Sequence, residues 1–213
     1  MTEQKRARLA ALALIASPIL WFVGALAFFT TLGAFYSAAD PVSKLNGIAG
    51  QRLAWTVQSL IFFAGALSAS VGLVILARLL RSNAPTLALI GTIAASLSAI
   101  ASAASLGIRL AAPLDGVRDA SEVPPLLMAV HSFSASPSWF AMASILVTVA
   151  GVGLLAIALY TSGRAKLTGA VTTLACVALA LIILARGGIP PVVVYPIAAI
   201  LGVRLLFWRP RGS

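Results

Sequence analysis

Long apolar segments, separated by short polar ones, dominate this chain of 213 residues. Each segment is close to or longer than the roughly 20 apolar residues that a helix needs to cross a bilayer. The six segments are 9–36, 53–80, 85–112, 138–160, 167–185 and 189–208. This pattern predicts an all-α, polytopic membrane protein in which six transmembrane helices form one bundle, a single domain that covers 1–213.

The polar connections are short, except for an outer loop over 113–137. Within this loop, 124–130 is apolar but too short to span a bilayer. That piece is consistent with a re-entrant segment, an interfacial segment or an extension of the fourth helix. The first apolar run is longer than the 7–15 residues typical of a secretory signal, so we expect an uncleaved first helix.

Composition agrees with this pattern, because 61% of the residues are hydrophobic, 9% are charged and the mean hydropathy is +1.05. An ordinary soluble domain has about 25% charged residues. Disorder would require low hydrophobicity together with high charge. Both classes are therefore excluded, and the net charge of +10 has to be explained within a membrane protein.

The basic residues are distributed unequally between the two sides of the predicted bundle. The side with both termini carries ten of the fifteen Lys and Arg residues, whereas four of the five acids lie on the other side. Because Lys and Arg favour the cytoplasmic side, we expect both termini in the cytoplasm and a location in the plasma (inner) membrane. Topology thus explains the charge. Nucleic acid binding would need a contiguous basic face on a soluble module, and the sequence predicts no such module, so we expect no nucleic acid partner.

Small residues recur every fourth position in the third apolar segment. They are Gly91, Ala95, Ala99, Ala103 and Gly107. This spacing lets two helices approach closely in a membrane, where burial of apolar surface drives association less than in water. The stripe predicts that the third helix lies at the bundle centre and provides a packing face.

Aromatic residues at the predicted helix ends, such as Trp55 and Trp208, are typical of interfacial belts. Trp21 lies in the middle of a helix, and its indole N–H favours a position facing the bundle interior.

Polar residues at the outer side form a candidate binding mouth. They are Arg52, Trp55, Gln58, Arg109, His131 and Arg186. Arginines around a mouth suit an anionic group, which a guanidinium can bind through two hydrogen bonds. The alternative is structural: these side chains extend to lipid headgroups or pair with Asp115, Asp119 and Glu122.

Catalytic chemistry has little support in the sequence. His131 is surrounded by serines and is a weak candidate for a general base, but no nucleophile-elbow motif accompanies it. A single cysteine, Cys176, and a single histidine leave too few ligands for a typical zinc site. The sequence therefore predicts no metal and no cofactor.

Three functional hypotheses follow. The first is an accessory or structural subunit, with the bilayer and other membrane subunits or further copies of itself as partners. The second is a transporter or channel-like protein for a small anionic or lipophilic molecule. The third is a membrane enzyme that acts on a lipid-like substrate at the outer face. The absence of Asp and Glu within the predicted spans favours a protein that is not an enzyme.

Overall fold

The computed structural model of the chain describes residues 2–31, 41–111, 118–122, 139–186 and 193–208. Within these ranges it describes the backbone alone at 28–31, 41, 44, 120, 139–144 and 186. The described residues form α-helices and one short 3-10 turn, Ala120–Glu122, with no β-strand among them. The α-helices are α1 (Glu3–Thr31), α2 (Pro41–Gly50), α3 (Arg52–Leu80), α4 (Pro85–Leu110), α5 (Trp139–Thr161), α6 (Lys166–Arg186) and α7 (Val194–Leu206).

Four described segments are long and apolar enough to cross a membrane. They are Glu3–Ala27, Arg52–Leu80, Pro85–Leu110 and Lys166–Ala185, and two shorter apolar segments are Ile145–Thr161 and Val194–Leu206. This confirms the all-helical class, and the long apolar helices indicate a membrane location. The predicted outer loop 113–137 lies outside the described residues, except for 118–122.

The helices form two layers. The inner helices α3, α5 and α7 contact one another, and each outer helix lies between two of them: α1 between α3 and α7, α4 between α3 and α5, and α6 between α5 and α7. Fully buried leucines from both layers, among them Leu14, Leu73, Leu155 and Leu201, fill the core. Burial follows the same division. In the most apolar part of the inner helix α3, 44% of the residues are buried, whereas the corresponding part of the outer helix α4 is 28% buried.

The expectation that the third apolar helix lies at the bundle centre was wrong, because α4 is an outer helix. Its buried residues end at Ser98, and the part of the stripe near Ala103 and Gly107 is exposed. The small residues do allow a close approach to α5: a Cβ added to Gly91 would lie 2.7 Å from Leu155 Cγ. A close contact on one narrow face does not require burial on all sides.

The first polar connection contains a short helix, α2, that the pattern did not predict. Pro41 is its first residue, a position where the missing N–H of proline costs nothing. Leu45 and Ile48 are spaced three residues apart on one face and are buried, while Asn46 is exposed. The connection looked polar because this helix is short and amphipathic and therefore lacks a continuous apolar run.

Two tight turns join helices at the end of the bundle that carries Glu3 and Trp208, here called the terminal end. The turn between α3 and α4 is closed by bonds from the N–H groups of Asn83 and Ala84 to Leu80 O. After α5, Gly163 has a φ of +72°, a left-handed conformation that glycine adopts without a Cβ penalty. The indole Nε1 of Trp208 donates to Glu3 Oε1 at 2.9 Å, so both ends of the described chain lie at this end.

Candidate functional site

Three residues of the predicted mouth, Trp55, Gln58 and Arg109, meet at the opposite end of the bundle, together with Ser59. Trp55, Gln58 and Ser59 come from the first turns of α3, and Arg109 comes from the last turn of α4. The three α3 side chains are at most 1% exposed, whereas Arg109 is half-buried. These residues, named the Arg109 cluster, combine sequence positions that are about fifty residues apart.

The guanidinium of Arg109 joins α4 to α3 through polar contacts. Its Nε donates to Ser59 Oγ at 2.9 Å, and its Nη2 donates to Gln58 Oε1 at 3.2 Å. Its Cζ lies 4.0 Å from the centre of the Trp55 ring, a cation–π distance. In the reverse direction, the Trp55 indole Nε1 donates to the backbone oxygen of Arg109 at 2.8 Å. Every contact named here joins the two helices to each other.

The spacing of the α3 residues explains how they reach one arginine. Trp55 and Ser59 are four residues apart and therefore lie on the same face of the helix. The Ser59 hydroxyl donates to Trp55 O at 2.7 Å, which leaves its oxygen lone pairs to accept from Arg109. The amide Nε2 of Gln58 is buried and has no hydrogen-bond partner. This donor is the unsatisfied group of the cluster.

Three further residues of the predicted mouth are not brought into this cluster by the described contacts. Arg52 is exposed at the start of α3. His131 and the side chain of Arg186 lie outside the described residues. The grouping of all six residues around one anionic ligand therefore stays a prediction, while the structure shows Trp55 and Gln58 each in contact with Arg109.

In the long connection the structure describes two acids, Asp119 and Glu122. Both accept hydrogen bonds from residues of the same turn, 118–122. The carboxylate of Asp119 accepts hydrogen bonds from the hydroxyl and the backbone N–H of Ser121, the latter at 2.7 Å. These two bonds lower the pKa of Asp119 below its ordinary value of 3.8. Glu122 accepts from the backbone N–H of Arg118 at 2.7 Å. Pairing of Asp119 or Glu122 with the mouth arginines, the structural alternative, is not found among the described residues.

Two aromatic residues at helix ends, Trp55 and Trp208, differ from the interfacial belt that the sequence predicts. Trp55 and Trp208 are buried, at 0% and 7% exposure, and both indole N–H groups bond to the protein. Trp21 faces the interior, as expected, and stacks between Phe62 of α3 and Tyr195 of α7, with ring centres 4.4 and 4.8 Å away. Trp21, Trp55 and Trp208 thus contribute to helix packing within the chain.

Close approaches of glycine and serine to neighbouring helices were not singled out by the sequence pattern. A Cβ on Gly72 or Gly202 would lie within 3 Å of Leu14, and one on Gly169 would lie 2.7 Å from Ala156 O. Hydrogen bonds also cross between helices, from Ser68 Oγ to Ala13 O and between Ser98 and Thr148. Small residues outside the α4 stripe are visible in the sequence and would have indicated these glycines. The residues that they approach on other helices are not visible in the sequence.

The fold and these contacts define a class, a helical bundle with the features of a multi-pass membrane protein. No family model, no curated protein and no solved structure matches this chain. Among the residues that the structure describes, no group of three or more His, Cys, Asp or Glu side chains could hold a metal ion.

Proposed function

We propose that the chain is an accessory or structural subunit in a membrane, which packs against another membrane helix through the exposed half of the α4 stripe. The observation that carries this proposal is the division of the stripe. Gly91 and Ala95 are buried against α5, whereas Ala103 and Gly107 are exposed. A Cβ on Gly107 would have no atom within 4 Å. Small exposed residues at this spacing let a second helix approach closely.

The Arg109 cluster supports a structural role over transport or catalysis. Two of the five N–H donors of the Arg109 guanidinium, on Nε and Nη2, donate to Ser59 and Gln58 of the neighbouring helix. Its aromatic partner is likewise inside the chain. These contacts join α3 to α4, and they support a structural role of the cluster.

We also infer that six helices cross the membrane and that both termini are cytoplasmic. The backbone of α5 has 23 helical residues, a length of about 34 Å, enough for a hydrocarbon core of about 30 Å. The bond between Glu3 and Trp208 brings the two ends of the described chain to the same end of the bundle. This supports an even number of crossings. The excess of Lys and Arg on that side supports the cytoplasmic orientation.

A matched pair of substitutions on α4 tests the packing proposal. Ala103 lies on the stripe, Ala104 lies off it by about 100° around the helix, and both are exposed. The protein is extracted from its membrane in mild detergent, and its assembly state is measured by native mass spectrometry. We expect a complex of defined stoichiometry, with a second copy or another subunit, that Ala103→Leu reduces at least about tenfold and Ala104→Leu leaves intact. A monomer without a partner, or equal effects of the two variants, would contradict the proposal.

A second candidate function, transport of a small anionic or lipophilic molecule, rests on the buried Nε2 of Gln58. This amide donor has no partner and lies beside a guanidinium, so a ligand between α3 and α4 could accept from it. Uptake by proteoliposomes, compared between the wild type and Gln58→Leu, tests this candidate. Wild-type uptake equal to that of empty liposomes would reject it for the solute tested.

A further inference from the structure

A polar cavity of about 280 Å³ lies at the terminal end of the bundle. It is formed where segments of α1, α3, the turn after α3 and the turn after α5 converge. Its lining residues, here named the arginine pocket, are Glu3, Arg6, Arg78, Leu79, Ser82 and Arg164. The pocket contains three guanidinium groups and one carboxylate, and the sequence alone showed its three arginines only as scattered basic positions.

Arg164 is held in place by its neighbours. Its Nη1 lies 3.0 Å from Glu3 Oε1, in an ion pair in which the arginine side chain is 13% exposed. Its Cζ lies 4.3 Å from the centre of the Trp208 ring, and Trp208 donates to the same oxygen of Glu3. The Nε of Arg164 is buried without a hydrogen-bond partner. The guanidinium is thus fixed in orientation but is not saturated by the protein.

Arg6 and Arg78 are placed differently from Arg164. Both are exposed, and their guanidinium groups form no hydrogen bond or ion pair in the described part of the chain. Arg78 belongs to the last turn of α3 and Arg6 to the start of α1. Because Glu3 is neutralised by Arg164, these two arginines leave an excess of two positive charges around the cavity.

We propose that the arginine pocket binds a phosphate group, supplied either by the headgroup of an anionic phospholipid or by a free phosphate. Planar guanidinium groups bind phosphate oxygens through paired hydrogen bonds. Basic pockets between transmembrane helices are typical sites for phospholipid headgroups. The position at the helix ends, next to Leu79, fits a headgroup whose acyl chains extend along α1 and α3. One fixed and two free guanidiniums can surround the phosphate from three sides.

A charge-matched pair of double variants of the full-length protein tests this proposal. Arg6→Ala/Arg78→Ala removes the two free arginines of the pocket. Arg8→Ala/Arg81→Ala is the control, because both of these residues are exposed near the same end and do not line the cavity. Both variants lose two positive charges. Thermal midpoints of both variants equal to that of the wild type verify that folding is retained.

Two binding measurements distinguish the sources of the phosphate. In the first, native mass spectrometry counts phosphatidylglycerol retained by protein from nanodiscs of equal parts phosphatidylcholine and phosphatidylglycerol. In the second, calorimetry measures inorganic phosphate binding in nanodiscs of phosphatidylcholine alone. Binding in the first measurement only identifies a lipid headgroup, and binding in the second identifies free phosphate as a ligand.

We expect Arg6→Ala/Arg78→Ala to weaken binding at least about tenfold in the measurement that detects it. The control should weaken binding by less than about threefold, because general surface charge contributes little at a specific site. No binding in either measurement would overturn the proposal. So would equal losses in the two double variants, which would indicate attraction to surface charge alone.

Discussion

Arg109 uses its guanidinium to hold two helices together. A charged group at the edge of an apolar bundle is costly unless it is paired and hydrogen-bonded. Ser59 and Gln58 provide acceptors, and the Trp55 ring provides a face for the cation. The arginine therefore replaces lost hydration with contacts inside the protein.

Replacing Arg109 with methionine should lower stability. Arg109→Met removes the donors to Ser59 Oγ and Gln58 Oε1, and each lost interhelical bond in a membrane protein contributes about 0.6–1.7 kcal/mol. We expect a total loss of about 1–3 kcal/mol, measured as a lower thermal unfolding midpoint in mild detergent. Arg81→Met, at an exposed arginine outside the cluster, should leave the midpoint unchanged. Equal midpoints for Arg109→Met and wild type would show that the cluster does not hold α3 to α4.

Asp119 provides a local pH-dependent contact in the turn 118–122. Its pKa is lowered by the hydroxyl and then the backbone N–H of Ser121, so the charged carboxylate stabilises the turn. This stabilisation is complete above the ordinary pKa near 3.8 and is lost as the pH falls through the lowered pKa of the folded turn.

The substitution Ser121→Ala should raise the pKa of Asp119 towards its ordinary value, because the first of these two donors is removed. The remaining N–H bond should keep it below 3.8. Titration of the Asp119 carboxyl carbon by NMR measures the change, and Ser82→Ala, in a distant turn, serves as the control. An identical pKa in wild type and Ser121→Ala would rule out the hydroxyl as the main cause.

At the scale of the elements, glycines determine how closely pairs of helices approach. Gly169 of α6 faces the backbone of α5, where Ala156 O lies 2.7 Å from the position of an added Cβ. Gly107 of α4 lies in a helix too, but nothing is within 4 Å of its added Cβ. Identical residues therefore have opposite roles, because one lies in a helix contact and the other does not.

The two glycines predict opposite effects of a single methyl group. Gly169→Ala should destabilise the protein by about 1–3 kcal/mol, because the backbone of α5 has to move. Gly107→Ala should be neutral or stabilising by up to about 1 kcal/mol, since alanine is the better helix former. Thermal unfolding of both variants in the same detergent measures the difference. Destabilisation of similar size by both substitutions would contradict the assigned α5–α6 contact.

Helix boundaries were predictable where local chemistry defines them. The start of α4 at Pro85 and the end of α3 at Leu80 match the predicted segments, because proline favours the first helical turn and a polar turn follows Leu80. The first helix begins at Glu3, before its apolar run, because charged residues also form helix and extend it beyond the apolar segment. The short amphipathic helix α2 was not predicted, because its apolar residues lie on one face and form no continuous apolar run.

At the scale of the whole molecule, an inner triangle of helices is surrounded by three outer ones. The bonds of Glu3 to Arg164 and Trp208 join the first and last described helices to the turn after α5. These contacts at the terminal end join residues that are more than 160 positions apart in the sequence.

The proposed orientation predicts which turns a polar reagent can reach. In a Cys176→Ala background, Ser121→Cys should react with a membrane-impermeant maleimide in intact cells, whereas Ser82→Cys should react only after permeabilisation. Both serines are exposed, and Cys176 is buried. Reaction of Ser82→Cys before permeabilisation would place the terminal end outside and reverse the orientation.

The sequence by itself determined the helical class and most helix positions, because long apolar runs and turn residues act locally. It also placed Trp55, Gln58 and Arg109 on one predicted side of the bundle, as part of a candidate binding mouth, since those residues fall at helix ends on that side. Only the tertiary structure decided that α4 is an outer helix, that Arg109 is bonded within the chain and that Arg6, Arg78 and Arg164 share a cavity. Such groupings depend on which helices become neighbours, and helix packing is set by the summed shape of many small contacts that no local pattern records.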